Sequence, residues 1–339
     1  MPEIVSPDHT SALIDQAIAL LNAGQLIGLP TETVYGLAAD ANNPEAVAKI
    51  FAAKGRPADH PLIVHLGADD LLKNYAREIP EAAWALAEAF WPGPLTLILK
   101  KAPGVPDLVT GGQDTVGVRI PGHPIALALL RAFAQANPTG GGLAAPSANK
   151  FGRISPTAAA HVTMELGDAV SLVLDGGDCQ VGIESTIVDL SRGEPVILRP
   201  GAITAEQIEL VLGQPLIAPV SDSESIGDAA PRVSGSLASH YAPLTPLTVL
   251  PLNAITAEQL SDNCAAIVRD TPDLPTGMRQ HTNVVVLADQ PADYAHDFYR
   301  VLRTLDTKSY GHIYVQELPD APAWLAVRDR LGRAAHRES

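Results

Sequence analysis

The 339-residue sequence is poor in cysteine, in aromatic side chains and in positive charge. Its two cysteines, Cys179 and Cys264, form no CxxC pair, so we expect no disulfide framework and a reducing compartment. Aromatic residues make up only 4% against 46% hydrophobic residues, which is typical of an aliphatic-rich α/β protein. The formal net charge of −15 argues against stable nucleic-acid binding, because such binding needs a clustered basic surface.

Long apolar runs are also missing. No run approaches the roughly 18 uninterrupted apolar residues of a membrane span. The first residues, MPEIVSPDHTS, have neither the basic nor the apolar stretch of a signal peptide. We therefore expect a cytoplasmic protein with no membrane partner. The length is sufficient for a substantial core and about two domains.

The patterning of the sequence divides the chain into three parts. Residues 1–205 alternate helix and strand patterns between short Gly and Pro turns, which predicts a layered α/β domain. Residues 206–245 are rich in Ser, Pro, Gly and Asp without sustained periodicity, which is typical of a linker or a functional lid. Residues 246–339 repeat a strand and helix pattern, which predicts a smaller, mostly parallel, Rossmann-like sheet without a GxGxxG motif.

Hydrophobic periodicity and Gly/Pro punctuation also predict individual elements. Helices are predicted over residues 12–23, 44–54, 124–136, 204–212 and 294–307, and from residue 322 onwards. Strands are predicted over residues 26–29, 61–66, 95–99, 117–120, 143–145, 172–174, 185–190, 247–252, 264–270, 283–288 and 312–318. In addition, Ser155-Pro156-Thr157 has the composition of a helix N-cap.

Lys54 and Arg56 flank one glycine at the end of a predicted helix. Two cations at this place can simply complement the helix dipole at the surface. Pro57 and Pro61 stiffen the exit from the turn, however, and a rigid Lys/Arg pair is typical of phosphate or carboxylate binding. In an acidic chain, such a concentration of positive charge points to an anionic ligand.

Hydroxyls and one imidazole lie close to these cations in the sequence. Thr31, Thr33 and Tyr35 alternate, which predicts that they share one face of a strand end, although all three are also ordinary strand residues. His65 ends an apolar strand and is compatible with a structural role or with a ligand contact. His60 and His65 do not have the spacing of a metal site.

Three later segments carry further polar residues. Arg119, on a strand face with Thr115, predicts either a buried ion pair or a fork for a carboxylate. The turn with Ser147 and Asn149 is compatible with an anion-binding nest or with a simple turn, and no Walker A motif occurs. Taken singly, Ser185 is interpreted as an ordinary strand hydroxyl and Arg199 as a surface cation.

The order of these segments carries a resemblance to a known family. Seven motifs occur in a fixed order within about residues 10–201: PTETVYGL, KGRPxxxPL with IVH, WPGPLT, VGVRIP, APSAN with SPT, IESTIVD and ILRPG. Together they closely resemble the YrdC/Sua5 family of L-threonylcarbamoyladenylate synthases. SHYAP and the second α/β pattern are similar to the long, two-domain Sua5 form. Small departures are His60, where many relatives carry Asn, and Ser234-Gly235-Ser236, which replaces a more usual Pro-Gly.

The resemblance implies a fold and a reaction. It implies a YrdC-like twisted mixed sheet over residues 1–205, a linker or lid over 206–245, and a Sua5 C-terminal domain over 246–339. The implied activity is that of a nucleotidyltransferase that condenses L-threonine, bicarbonate or CO₂, and ATP into threonylcarbamoyl-AMP, releasing pyrophosphate. The product would serve the t6A modification at position 37 of tRNA through a downstream tRNA threonylcarbamoyl transferase.

The resemblance also implies roles for particular residues, with Lys54 and Arg56 at the centre of catalysis. L-Threonine would be held by Thr33, His65, Arg119, Ala145 and Ser185. ATP would be held by Lys54, Arg56, His60, Thr115, Ser147, Asn149, Ser155, Arg199 and Tyr241. Mg²⁺ would accompany ATP, bound through phosphate oxygens and water rather than by protein ligands, and no organic cofactor is implied. Tyr241 with His240 would close the linker over the nucleotide.

Two other classes of function are compatible with the sequence. One is an RNA-binding module, against which the net charge of −15 and the lack of interleaved aromatic and basic residues count. The other is a carbamoyl-transfer enzyme of the kind in which a related domain occurs. Such chains usually add acylphosphatase and zinc-finger segments, and this sequence contains neither.

Overall fold

The computed structural model describes residues 3–5, 10–138, 140–216, 230–235, 237, 239–256, 259–260, 263–308 and 310–336. These residues form two compact units. The first unit takes its residues from 1–151, 156–180 and 184–236, and the second from 152–155, 181–183 and 237–339. Residues 217–229, in the middle of the sequence-predicted linker, lie outside the described residues.

The first unit contains ten described strands and eight described α-helices. The strands are β1 (Glu3–Val5), β2 (Ile27–Leu29), β3 (Gly36–Asp40), β4 (Ile63–His65), β5 (Leu95–Lys100), β6 (Thr115–Arg119), β7 (Leu143–Ala144), β8 (Leu172–Leu174), β9 (Thr186–Asp189) and β10 (Val196–Arg199). The helices are α1 (Thr10–Asn22), α2 (Pro44–Lys54), α3 (Leu72–Tyr75), α4 (Glu81–Phe90), α5 (Asp107–Thr110), α6 (Pro124–Ala136), α7 (Ala159–Leu166) and α8 (Ala205–Leu212).

The ten strands form one mixed sheet in the order β1-β8-β2-β3-β7-β4-β6-β5-β9-β10. β4 runs parallel to β6, whereas β6 and β5 are antiparallel and β5 and β9 are parallel. In this register His65 of β4 is the partner of Arg119 of β6. The two strands that end in His65 and Arg119 are therefore neighbours in the middle of the sheet.

Local sequence signals explain the helix that ends at the site. The Asn43 side chain caps α2 by accepting hydrogen bonds from the backbone N–H groups of Glu45 and Ala46, each at 3.1 Å. Pro44 occupies the first turn, where its missing N–H costs nothing. Gly55 then ends the helix with a φ of 63°, a left-handed conformation that glycine adopts without steric cost.

Aliphatic side chains make up the core of the first unit. One buried cluster joins residues of α2 and the central strands, including Val47 and Val64, both fully buried. A second cluster joins α1 and α6 to β2 and β8, including Leu21 and Phe133. Each such side chain contributes roughly 1.5–3 kcal/mol on burial, which makes the sheet a rigid platform for polar groups.

The second unit is built on a smaller sheet. Its strands are β11 (Leu247–Leu250), β12 (Cys264–Arg269), β13 (Val284–Leu287) and β14 (His312–Gln316), and its helices are α9 (Thr276–Arg279), α10 (Pro291–Thr307) and α11 (Leu325–Ala335). The strand order is β11-β14-β12-β13, and every pairing is parallel. The predicted α/β class, with a mixed sheet and a smaller parallel sheet, is confirmed.

Two local predictions are wrong. Thr31, Thr33 and Tyr35 do not lie on a strand, because β3 begins only at Gly36 and the preceding residues form bends. Ser155-Pro156-Thr157 does not cap a helix, since α7 begins at Ala159 behind Ala158, which makes no side-chain cap hydrogen bond. Among the described residues, no helix is long and apolar enough to cross a membrane.

Candidate active site

Lys54, the last residue of α2, has a buried side chain with only 2% of the residue exposed. Its Nζ donates hydrogen bonds to the main-chain oxygens of Ser147, at 2.5 Å, and Asn149, at 2.6 Å. Burial, reinforced by the neighbouring Arg56, lowers the pKa of the Lys54 ammonium well below its usual value. Lys54 is therefore no surface cation at a helix end, and it ties that end to the turn that carries Ser147 and Asn149.

Arg56 is also buried, with 7% exposed. Its Nη2 donates to the main-chain oxygen of Pro61 at 2.9 Å and to Ser234 Oγ at 3.1 Å. The guanidinium lies over the ring of Phe151, 5.7 Å from the centroid, in a cation–π contact. The turn after α2 thus holds Arg56 in a fixed orientation.

His60 belongs to the same cluster. Its ring packs edge-on against Phe151, with 5.2 Å between the centroids. Partial burial and then the positive charge of Arg56 lower the pKa of His60 below its usual value, so the ring is neutral near pH 7. It can therefore offer a hydrogen bond or a flat surface without adding charge.

The remaining residues of the predicted nucleotide set in this unit lie on neighbouring strands and turns. Thr115 begins β6 and is buried, with 7% exposed. Asn149 is buried at 1% exposed, and its Nδ2 donates to the main-chain oxygen of Lys150 at 2.8 Å. Ala145, which belongs to the predicted threonine set, precedes the turn and donates its backbone N–H to the main-chain oxygen of Ile63 at 3.1 Å. The structure therefore brings the Lys54 turn and the Ser147–Asn149 turn together.

Of the two interpretations of Arg119, a buried ion pair or a fork for a carboxylate, the structure shows the ion pair. Arg119 is 4% exposed, and its Nη2 donates to Glu32 Oε1 at 2.5 Å in a buried ion pair. Its Nη1 donates to Thr33 Oγ1 at 2.9 Å, and its Nε donates to the main-chain oxygen of Gly93 at 3.1 Å. The arginine is thus held from three sides at the end of β6.

His65 lies beside this arginine. Its Nδ1 is 3.2 Å from the main-chain oxygen of Ile63. Complete burial, followed by the charge of Arg119, lowers the pKa of His65 to about 3. At neutral pH the imidazole is therefore uncharged, and the cluster contains one cation and one carboxylate.

A hydrogen-bonded bend sets the position of Thr33. Thr31 Oγ1 accepts hydrogen bonds from the backbone N–H groups of Thr33 and Val34, each at 3.2 Å, and donates to the main-chain oxygen of Val34 at 2.6 Å. The two threonine hydroxyls are 2.9 Å apart. Tyr35 points elsewhere, since its hydroxyl donates to the main-chain oxygen of Gly177 at 2.8 Å. The predicted common face of three hydroxyls is therefore wrong, and Thr31 and Thr33 form a pair by themselves.

Ser185 and Arg199 are brought together at the neighbouring strands β9 and β10. The register between these strands shifts at Arg199, and such a bulge redirects a side chain. Arg199 Nη2 donates to Ser185 O at 2.9 Å and to Ser185 Oγ at 3.1 Å. Ser185 Oγ is also 2.8 Å from Thr96 Oγ1 of β5. Arg199 is therefore a buried, partnered residue rather than a surface cation.

A short piece of the predicted linker, Arg232–Ser234, hereafter the 232–234 segment, lies in the first unit against both candidate phosphate-binding arginines. Ser234 Oγ accepts from Arg56 and donates to Pro61 O at 2.9 Å, and Ser234 O accepts from Arg199 Nη1 at 2.9 Å. The backbone of Arg232 exchanges two hydrogen bonds with the side chain of Gln113, at 2.7 and 3.1 Å. This segment therefore holds the two arginines together.

Two predicted site residues belong to the second unit. Ser155 is fully buried, and its main-chain oxygen accepts from Arg303 Nε at 3.2 Å. Tyr241 is 1% exposed and has a φ of 61°, which is unusual for a residue with a Cβ. Arg330 lies over its ring, 5.4 Å from the centroid, and His240 packs edge-on at 4.1 Å. The nucleotide contacts of Ser155 and Tyr241 and the predicted lid stay predictions.

Sequence reasoning missed three polar residues of this site. Glu32 lies between two threonines in the PTET motif, and this position is the signal that could have identified it. Thr96 sits in an apolar strand and gives no sequence signal of its own. Ser234 lies in a stretch whose composition indicates only a linker. Among the described residues, no group of three His, Cys, Asp or Glu side chains is placed to hold a metal ion.

One unit has a mixed sheet and gathers buried Lys and Arg side chains, hydroxyls and a neutral imidazole, and the other has a parallel sheet. Together they define a two-domain α/β protein with a candidate polar site. A family model described as "Telomere recombination", covering Sua5, YciO and YrdC proteins, matches residues 19–201. A second, described as "Threonylcarbamoyl-AMP synthase, C-terminal domain", matches residues 203–336. The chain belongs to the Sua5/YciO/YrdC family, in its two-domain form.

Curated relatives agree with this assignment. Threonylcarbamoyl-AMP synthase of Pyrococcus abyssi is 38% identical over 323 residues, covering 94% of this chain and 93% of the relative. Threonylcarbamoyl-AMP synthase of Bacillus subtilis is 39% identical over 334 residues, covering 95% and 92%. Since both relatives are named as synthases and are matched over most of their length, the chain belongs to a family of enzymes.

Solved structures confirm the two-domain fold. The crystal structure of Pyrococcus abyssi Sua5 complexed with L-threonine matches with a TM-score of 0.86 and 36% identity, covering 99% of this chain and 97% of that one. A variant of the same protein, with an adjacent histidine and tyrosine both replaced by alanine, matches with a TM-score of 0.85 and 35% identity, covering 99% and 96%. The predicted YrdC-like sheet with a smaller C-terminal α/β domain is thus confirmed.

Proposed function

We propose that this chain is an L-threonylcarbamoyladenylate synthase and hence a nucleotidyltransferase. It condenses L-threonine, bicarbonate or CO₂, and ATP into threonylcarbamoyl-AMP and releases pyrophosphate. The observation that carries the proposal is that two polar clusters occur in one unit. One holds Lys54, Arg56 and Arg199 and suits phosphates, whereas the other, around Arg119, has one positive and one negative group and suits an amino acid.

The amino-acid cluster supports the first half of the reaction. Arg119 suits the α-carboxylate of threonine, and Thr33 and Ser185 supply hydroxyls that can pair with its polar groups. His65 is uncharged at neutral pH, because its pKa is lowered to about 3. The threonine amine, in its neutral form, adds to CO₂ and loses one proton to solvent to give a carbamate, and Ala145 contributes backbone at the edge of this cluster. No protein nucleophile is needed, so the residues act by positioning the reactants.

The cationic cluster supports the second half. A carbamate oxygen attacks the α-phosphorus of ATP, the bond to the β-phosphate oxygen breaks, and pyrophosphate leaves with the bonding electrons. Lys54, Arg56 and Arg199 would stabilise the charge that develops on the phosphate oxygens. The surrounding polar residues of the proposed nucleotide set are His60, Thr115, Ser147, Asn149, Ser155 and Tyr241.

Mg²⁺ is part of the proposal as a companion of ATP. The cation would be held mainly by phosphate oxygens and water. When bound, it would supply further charge neutralisation at the phosphates. No organic cofactor is proposed.

The 232–234 segment bears on how ATP enters. Its Ser234 occupies one hydrogen-bond position on each of Arg56 and Arg199. Phosphate oxygens would need the same donors, so the segment and the triphosphate compete for them. The single His-Tyr dipeptide of this chain is His240-Tyr241, and the variant of Pyrococcus abyssi Sua5 lacks such a pair. We propose that this dipeptide acts with the linker as a lid over the nucleotide.

Pyrophosphate release by the whole purified chain tests the proposal. With ATP and Mg²⁺ present, we expect release only when both L-threonine and bicarbonate are added, and much slower release with L-serine. Arg56→Ala should lower the rate at least 100-fold, whereas the exposed Arg77→Ala serves as a matched control. Release that continues without threonine would refute the assignment. The product would pass in the cytoplasm to a tRNA threonylcarbamoyl transferase for the t6A modification.

A further inference from the structure

The Glu32 carboxylate is only half engaged. The residue is 7% exposed, and its Oε1 accepts the hydrogen bond from Arg119 Nη2 at 2.5 Å. Its other oxygen, Oε2, is buried and has no hydrogen-bond partner among the described residues. Buried carboxylate oxygens nearly always have a donor, so an oxygen without one in a polar site points to a donor that a ligand supplies.

Arg119 is engaged only in part as well. A guanidinium has five N–H groups. One each is used on Nε, Nη1 and Nη2, toward Gly93, Thr33 and Glu32. One hydrogen on each terminal nitrogen remains, and these N–H groups can be donated to a ligand carboxylate. The ion pair therefore keeps an unused donor pair on one partner and an unused acceptor on the other.

The ion pair itself carries no net charge. Arg119 carries one positive charge and Glu32 one negative charge, and the imidazole of His65 is neutral at physiological pH. Burial, reinforced by the carboxylates of Glu32 and Asp178, raises the pKa of the Cys179 thiol, which stays protonated and adds no charge. A simple carboxylate would leave this site with excess negative charge, whereas a zwitterion would leave it balanced.

We propose that Glu32 binds the α-ammonium group of the amino-acid substrate through Oε2, so that Glu32 and Arg119 together recognise a zwitterion. This inference rests on the proposed function and adds to it the pair of residues that selects an α-amino acid. Arg119 holds the α-carboxylate with its unused N–H groups. Glu32 fixes the nitrogen that becomes the carbamate nitrogen and rejects acids that lack an amine.

The competing possibility is that Glu32 merely orients Arg119. In that case, loss of the Glu32 charge should weaken the binding of every carboxylate to the same extent. Under the proposal, only ligands with an amine are affected. L-Threonine and 3-hydroxybutanoate, which is threonine without its amine, therefore distinguish the two roles of Glu32.

Calorimetric titration of the whole chain with both ligands is the test. We expect the unsubstituted chain to bind L-threonine at least tenfold more tightly than 3-hydroxybutanoate, a result that needs no variant. Glu32→Gln should weaken threonine binding at least tenfold and leave 3-hydroxybutanoate binding unchanged or tighter. Glu32→Asp, which keeps the charge, should retain part of the discrimination. Glu78→Gln removes an exposed carboxylate paired with Arg77 and Lys100 and is the matched control.

Each other outcome overturns the inference. Equal weakening of both ligands in Glu32→Gln would assign Glu32 to orientation alone, and unchanged threonine binding would remove it from the site. Equal affinity of the unsubstituted chain for both ligands would also refute recognition of the ammonium. Pyrophosphate release that does not depend on threonine would overturn the proposed function itself, and that result is separate from the ligand comparison.

Discussion

At the scale of single residues, burial changes what the ionisable side chains of this protein do. Lys54 and His65 both have pKa values below their usual range, because removal from water disfavours the charged form of each. The Lys54 amino group donates hydrogen bonds to two main-chain oxygens, which offset part of the cost of its burial. His65, in contrast, stays neutral beside Arg119. The same physical cause thus gives one anchor and one uncharged polar surface.

Replacement of Lys54 tests the anchor. Lys54→Ala removes hydrogen bonds to two carbonyl oxygens of the Ser147–Asn149 turn, so we expect a loss of about 1–3 kcal/mol in the free energy of unfolding. We also expect pyrophosphate release to fall at least 100-fold. Lys49 lies on the same helix and donates to Gly24 O at 2.6 Å, so Lys49→Ala is the control and should lose stability but retain activity. Full activity in Lys54→Ala would contradict this role.

His65 makes the folded state sensitive to acid. In the unfolded chain the imidazole takes up a proton near pH 6.5, but in the folded chain only near pH 3. Between these values the unfolded state binds more protons, so stability falls as the pH falls. From pH 7 to pH 5 we expect His65 to account for a loss of about 2 kcal/mol, measured by urea unfolding. His65→Gln should lack this part of the loss, and the exposed His336→Gln should keep it.

At the scale of elements, strong local signals allowed correct predictions. α2 and α6 have the predicted bounds, because a proline opens each one and periodic apolar residues continue it. β3 was missed, since GLAAD has neither alternation nor β-branched residues and becomes a strand only through its neighbours. α4 (EAAWALAEAF) was also not predicted, although its sequence pattern is that of a helix.

The site follows the same division. The cations of the KGR turn and the polar residues of the SAN turn were identifiable from sequence, because polar side chains held in rigid turns are typical of anion binding. Their mutual contact through Lys54 was not, since it spans more than 90 residues of chain. The role of Ser234 could not be predicted from sequence either, because its partners Arg56 and Arg199 lie far away in the chain. The sequence around Ser234 indicates only a linker.

The 232–234 segment gives an element-scale prediction about the nucleotide. Ser234→Ala removes the hydroxyl that accepts from Arg56 and donates to Pro61. If the segment competes with phosphate oxygens, the variant should bind ATP more tightly, by roughly two- to tenfold, since one or two hydrogen bonds are lost from the competing state. Fluorescence competition with a labelled ATP analogue measures this. Ser191→Ala, which removes a hydroxyl bonded to Asp189, is the control; weaker ATP binding by Ser234→Ala would contradict the competition.

At the scale of the whole molecule, the second unit is assembled from three pieces of chain. Residues 152–155 and 181–183 belong to it although they are flanked on both sides by the first unit's sequence. Within the second unit, Arg153 pairs with Asp306 at 2.9 Å, and Gly182 packs so closely on the backbone of His296 that a Cβ would lie 2.5 Å from its oxygen. The boundary between the units is therefore not a single cut in the sequence.

This division predicts the behaviour of a truncated chain. Residues 1–236 include the two short pieces but none of the residues that contact them from 237 onwards. We expect this fragment to fold, and to unfold about 2–4 °C below the corresponding transition of the whole chain, because ion-pair and hydrogen-bond partners are lost. Differential scanning calorimetry of both proteins measures the difference. Identical midpoints would show that the short pieces contribute nothing to stability.

The pairing of Arg153 with Asp306 joins residues 153 positions apart in the chain. A ribosome adds about 5–20 residues per second, so Arg153 is made roughly 8–30 s before its partner exists. During that interval the nascent first unit carries two segments that have no place to pack. The second unit can therefore be completed only after Asp306 has been made, and a product terminated before that residue would expose these segments to proteases.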